Sequence, residues 1–161
     1  MYKTVWNSAL TSNDASAREE LGATRVVTDS TNGYRMYKYV QFDNGTGNLT
    51  SVANQVVYYV SATKVTNDVS DSNINSIAGI TPVALTDGYY GWMQVLGSAT
   101  VNTNGDDDIA TGDALIGTSS ADGVCNSVAA NTAPTNKVLG WAIAADVDAA
   151  NTVLAQLTVG A

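Results

Sequence analysis

Histidine is absent from the 161 residues, cysteine occurs once, as Cys125, and there are two prolines. The missing histidine removes the commonest general base, the usual partner of a Ser or Cys nucleophile, and the commonest metal ligand. No His-dependent triad can be assembled from this chain. A single cysteine rules out an intramolecular disulfide and leaves a thiolate zinc site short of ligands. Cys125 follows the turn pair Asp122-Gly123 and has no basic residue near it in sequence to lower its pKa, so a small apolar packing role is expected. No run approaches the roughly 18 apolar residues of a membrane-spanning helix. Met1-Tyr2-Lys3-Thr4 opens without the apolar region of a secretory leader. The expectation is a soluble protein made without a secretory signal and with no membrane partner.

Basic residues are scarce too. Seven Lys and Arg stand against 15 Asp and Glu, for a net charge of −8, and nucleic acid is excluded as a partner because its binding is driven by cations that neutralise phosphates. The deficit is uneven. Residues 1–64 carry six cations against five carboxylates, +1, whereas residues 65–161 carry Lys137 alone against ten aspartates, −9. The two parts are expected to face different environments. Neither Lys64 nor Lys137 sits in a phosphate-binding loop and no GxGxxG occurs, so no cofactor is expected.

What the chain has in abundance is turn chemistry. Asn32-Gly33, Asn44-Gly45, Asp87-Gly88, Asn104-Gly105 and Asp122-Gly123 each pair a residue tolerant of the left-handed region with glycine, the combination favoured in tight hairpins. Runs rich in Val, Tyr, Trp and Thr lie between them. Strands are expected over 24–28, 34–42, 55–60, 89–96, 114–118, 138–144 and 152–159. In the last, Val153, Ala155, Leu157 and Val159 alternate with Leu154, Gln156 and Thr158, which gives one apolar face. Val56-Val57-Tyr58-Tyr59-Val60 lacks alternation, as suits a strand covered on both sides.

One short helix is expected, where Ser16 and Glu19 have capping-box spacing and Gly22 can close the end. Residues 146–151 read as a polar turn. The length suits one compact domain. Residues 1–65 are expected to form an N-terminal arm or extra β layer, 66–80 a polar joint, and 81–161 a compact β-barrel or β-sandwich-like core. The fold class is mainly β.

Asn102, Asn104, Asp106 and Asp108 alternate, with Asp113 beyond, and so resemble calcium-loop spacing. Glycine falls at the fourth position and no Glu stands at the twelfth. A solvated Asp-rich turn is the simpler account, and no metal is expected. Paired carboxylates there would need burial to do acid and base chemistry, so no catalytic residue is expected either. Asn44-Gly45-Thr46 and Asn48-Leu49-Thr50 have the form of glycosylation sequons but read as turn chemistry. Most of the strand aromatics are expected in the core. Tyr and Trp are also enriched at binding hot spots, and Tyr34, Tyr37, Tyr39, Tyr58, Tyr89 and Trp92, with Arg25 and Arg35, are the expected protein-interface residues.

Four segments then recur in a familiar order. They are Gly91-Trp92-Met93-Gln94-Val95-Leu96-Gly97, Ala110-Thr111-Gly112-Asp113-Ala114-Leu115, Val138-Leu139-Gly140-Trp141-Ala142, and Val153-Leu154-Ala155-Gln156-Leu157-Thr158-Val159. Together they resemble the capsid decoration, or head cement, proteins of tailed bacteriophages, over residues 80–161. Tyr37-Lys38-Tyr39-Val40-Gln41-Phe42-Asp43-Asn44-Gly45 is similar to the N-terminal part of longer members. The resemblance implies a β-barrel-like, often homotrimeric protein. It would be made in the host cytoplasm and would sit on the outer surface of the virion capsid, where it clamps neighbouring major capsid protein subunits. The alternative is a phage head-fibre or tail adhesin that binds a cell-surface glycan.

Overall fold

The computed structural model describes residues 5–105, 108–146 and 152–159. Glycines 33, 45, 88, 105 and 123 of the five turn pairs all hold positive φ, the region that glycine enters without steric cost. The segments between them form strands β1 (Thr24–Asp29), β2 (Gly33–Asp43), β3 (Gln55–Tyr59), β4 (Lys64–Thr66), β5 (Ile77–Thr81), β6 (Tyr90–Asn102), β7 (Ala114–Gly117), β8 (Cys125–Val128), β9 (Val138–Ala142) and β10 (Thr152–Leu157). The protein is mainly β, as its turn and strand chemistry implies. Helical structure among the described residues consists of two single 3-10 turns, Val69–Asp71 and Ile74–Ser76.

The short helix expected after Ser16 does not form, and residues 16–22 are bends and turns. Glu19 is the reason. Its carboxylate does not reach back to cap Ser16 but accepts from the backbone N–H groups of Asn7, at 2.6 Å, and Ser8, at 2.8 Å. Of the polar turn expected at 146–151, Asp146 alone falls within the described residues.

The ten strands form one mixed sheet in the order β1-β2-β4-β3-β5-β6-β10-β9-β7-β8, with a further pairing between β2 and β6. That further pairing turns β2, β4, β3, β5 and β6 back on themselves. β2 and β4 run parallel through Gln41–Asp43 and Lys64–Thr66, and every other ladder is antiparallel. At the far end, Thr103 bridges to Cys125 and so brings β8 back towards the end of β6.

β6 belongs to both halves. Its first part pairs with β2, from Tyr90 opposite Gln41 to Leu96 opposite Met36, and its second part pairs with β10, from Gly97 opposite Leu157 to Asn102 opposite Thr152. The change of partner falls on Gly97, whose φ is +94° and where a Cβ would lie 2.3 Å from the Tyr34 carbonyl oxygen. Only glycine permits that approach.

Two cores result. Val40, Phe42, Val57, Val65, Ala78, Leu85, Met93 and Val95 fill the first. The second takes Val56 and Tyr58 from β3 and Ile77 and Ile80 from β5, against Val101, Leu115, Leu139, Val153 and Leu157. β3 and β5 are thus a wall with a core on each side, which explains the unalternating apolar run of β3. On β10, Val153, Ala155 and Leu157 point inward while Thr152, Leu154 and Gln156 are exposed, the expected alternation.

Candidate interaction surface

Trp92, Tyr39 and Tyr37 project from the outer side of β6 and β2, and the segment from Trp6 to Asp14 covers them. Trp92 donates its indole N–H to Ser8 Oγ at 2.9 Å, and Ser8 Oγ donates onward to Glu19 at 3.0 Å. Trp6 meets Trp92 edge-on, with centroids 5.2 Å apart, and Tyr39 meets it at 5.1 Å. Such pairs add about 0.5–1.5 kcal/mol beyond their burial. Asp14 and Tyr90 exchange backbone hydrogen bonds at 2.9 Å, which ties the far end of this strap to β6. Arg25 lies over the Trp6 and Trp92 rings and donates to the Ser8 carbonyl at 3.1 Å. The Tyr39 hydroxyl accepts from the Arg18 N–H at 3.1 Å, and burial raises its pKa above the ordinary tyrosine value.

Four of the expected interface residues therefore meet in one place: Arg25, Tyr37, Tyr39 and Trp92. The three aromatics are buried inside the chain, so what they hold in place is the strap. Tyr58 is fully buried in the second core, and burial pushes its hydroxyl up to about 12. Tyr89 is half-buried immediately before β6. Arg35 is half-buried on the β1–β2 hairpin, and Tyr34 beside it is 51% exposed, the one member of the set that stands clear of the surface.

Next to the hairpin, a recess of about 210 Å³ opens at the bend of β6. Asn32, Arg35, Asn54, Gln94, Ser98 and Thr100 supply polar groups to its lining, and Leu154 stands at it from β10. Gln94 donates to the Leu96 and Ser98 carbonyls across the bend, at 3.2 and 2.9 Å. Outside the expected interface set, Val26, Trp141, Ile143 and Leu154 are among the exposed large apolar side chains. The sequence signal for Leu154 is its place on the mixed face of β10; Trp141 is set opposite Gln156 on that same face by the β9–β10 register, which the sequence does not display.

The groups considered for chemistry are engaged elsewhere. Cys125 is fully buried, and burial pushes its thiol up to about 12, far from a thiolate at neutral pH. Asp113 accepts from the N–H groups of Ala110, at 2.9 Å, and Ala130, at 3.0 Å, and so holds the turn before β7. The Asn102 amide donates to the Ala53 carbonyl at 2.9 Å, and Asp106 lies outside the described residues. In the Asn44-Gly45-Thr46 turn, the Thr46 hydroxyl donates to Asp71 at 3.0 Å.

No family model matches the chain, and no curated protein matches it. Among solved structures it is similar to the head fiber gp8.5 N base of bacteriophage phi29, with a TM-score of 0.47 and 14% sequence identity, over 77% of this chain and 94% of that one.

Proposed function

We propose that this chain is a structural protein of a tailed-phage head, seated on the outer surface of the capsid, where it bridges major capsid protein subunits. The observation that carries the reading is the placement of the four segments on which the resemblance rests. They contribute to β6, β7, β9 and β10, which lie side by side in the order β6-β10-β9-β7. Segments scattered over 69 residues of sequence, from Gly91 to Val159, thus build one continuous surface, and its outer side exposes Trp141 and Leu154. A protein bound there stabilises an expanded shell by burying surface that exists only in the assembled lattice. It works by contact and not by catalysis. The absent histidine and the buried, protonated thiol of Cys125 support that reading.

The test is co-sedimentation of the purified chain with mature and immature heads, followed by heating of the decorated particles. Binding to mature heads and a higher disruption temperature are expected. Failure to bind either form sinks the proposal. A second reading, a head-fibre or tail adhesin for a cell-surface glycan, is favoured by the recess at the β6 bend, whose amides and hydroxyls suit a polyhydroxylated ligand. Specific binding on a glycan array, lost in Asn54→Ala and Thr100→Ala, would support it.

A further inference from the structure

The strand order ends in β1 and β8, and among the described residues β1 is the end strand with no second partner. It pairs with β2 alone, whereas the other terminal strand, β8, is bridged by Thr103 and has its Cys125 carbonyl taken by the Asn104 N–H at 3.2 Å. The Tyr39 N–H bonds to the Ala23 carbonyl at 2.9 Å, which sets the phase of the β1–β2 ladder. Alternate residues of an antiparallel strand bond to opposite sides. Arg25 and Val27 therefore face β2, and the N–H and C=O groups of Thr24, Val26 and Thr28 point outward. All three residues are exposed, Val26 at 48%.

Exposed edges usually carry a Lys, a Pro or a bulge that blocks further pairing. Between Thr24 and Thr28 this one carries none, and its one charge, Arg25, is drawn back over Trp6 and Trp92 and bonded to Ser8. The order Thr24-Arg25-Val26-Val27-Thr28 also suits pairing with itself. Antiparallel pairing centred on Val26 sets Val26 against Val26 of a second copy, Thr24 against its Thr28, and Arg25 against its Val27. β-branched pairs and threonine pairs are favourable across strands, and no like charges face one another. Charge points the same way. Each copy carries −8, but β1 belongs to the stretch that sums to +1, so this seam joins near-neutral segments of the two copies.

We propose that the β1 edge is a self-association seam, through which two copies join by antiparallel β1–β1 pairing about Val26 into a continuous sheet. The contact is isologous and closes at two. It stands independently of any capsid role. A homotrimer, as the family resemblance implies, would need a different surface.

The experiment is a mass measurement by sedimentation equilibrium over a concentration series, on the full chain and on Val26→Pro and Val26→Lys. Proline at 26 removes only an outward N–H and spares the β1–β2 ladder, and lysine places like charges opposite each other. A weak, concentration-dependent dimer is expected for the wild type. Both variants are expected to weaken it by about tenfold or more with unchanged far-UV circular dichroism. Val26→Cys fixes the register, because the two Cα atoms of a hydrogen-bonded antiparallel pair lie about 5.5 Å apart, within disulfide reach. It is expected to form a covalent dimer on oxidation, and Thr28→Cys is not. Should a substitution unfold the chain, this crosslinking decides. A wild type that stays monomeric throughout, a dimer or trimer that survives both variants, or equal crosslinking of the two cysteines overturns the proposal. So does amide-exchange protection of Thr24, Val26 and Thr28 that appears only on phage heads, which would assign the edge to a shell strand.

Discussion

Asp68 shows how much one buried carboxylate organises. It is 3% exposed and accepts from the Ser70 N–H at 2.9 Å, the Ser70 hydroxyl at 2.5 Å and the Gly47 N–H at 3.2 Å, so it joins the first 3-10 turn to the loop after β2. The Ser70 hydroxyl, ahead of the backbone donors, holds its pKa below the ordinary 3.8, against the upward pull of burial. Asp43 is held low chiefly by Lys64, whose ammonium lies 2.5 Å away. The linkage has a definite sign. A folded pKa below the unfolded one means that the stabilisation is complete above the unfolded value and is lost as pH falls through the folded one. Urea midpoints should therefore be flat down to about pH 4 and decline below it. Asp68→Asn, which keeps an acceptor but does not titrate, is expected to lower the stability at pH 7 by roughly 1 kcal/mol or more, read from the urea midpoint, and to flatten the acid decline. An unchanged acid limb in that variant would remove Asp68 from the account.

At the scale of elements, the bend of β6 is the controlling feature. Gly97→Ala puts a Cβ against the Tyr34 carbonyl at positive φ, and is expected to cost about 2 kcal/mol or more, read as a lower urea midpoint. Gly33→Ala is the comparison. Gly33 also has positive φ, but nothing lies within 4 Å of its Cβ position, so it should lose only about 1 kcal/mol. Equal losses would mean that backbone conformation and not the close approach governs the bend. Each of the seven strands expected from the sequence overlaps one that forms, because each had a β-branched or aromatic run with turn residues beside it. Three others were not legible. β4 is three residues long and pairs in parallel with a distant strand. β8, Cys-Asn-Ser-Val, has no apolar face of its own. β5 is fully buried yet contains Gly79 and follows a polar stretch, so its burial on both sides comes from neighbours that local sequence cannot announce. β6 runs six residues past its expected end, since Gly97-Ser98 reads as a stop when it is a change of partner. For the aromatics of the expected interface set, the sequence leaves the covered side open. Aromatic identity marks a residue as energetic without saying which side of a strand is covered, and the strap from Trp6 to Asp14 decided that for Trp92 and Tyr39.

At the scale of the molecule, the charge boundary and the folding boundary are different things. The charge changes at about residue 65, but the second core draws Val56, Tyr58, Ile77 and Ile80 from before residue 81 and packs them against Leu115, Leu139, Val153 and Leu157 from after it. Val159 touches both cores, and β6 pairs along its first part with β2, from before residue 81, and along its second part with β10, from after it. A chain that begins at residue 81 gives up those four side chains and the β2 partner of β6. Burial of a large apolar side chain is worth about 1.5–3 kcal/mol, so the four together amount to roughly 6–12 kcal/mol, comparable to the whole stability of an ordinary domain. The fragment 81–161 is therefore expected to lack a cooperative melt and to show the emission of water-exposed tryptophan from both Trp92 and Trp141. The full chain is expected to unfold in one transition, with near-UV and far-UV circular dichroism coincident. A fragment that melts cooperatively, or a full chain whose two signals separate, would show that the shared wall of β3 and β5 does not couple the halves. One transition has a consequence for a protein that acts by contact. Force applied at any part of its surface would then be borne by the whole sheet, because no half of the fold can open while the other stays closed.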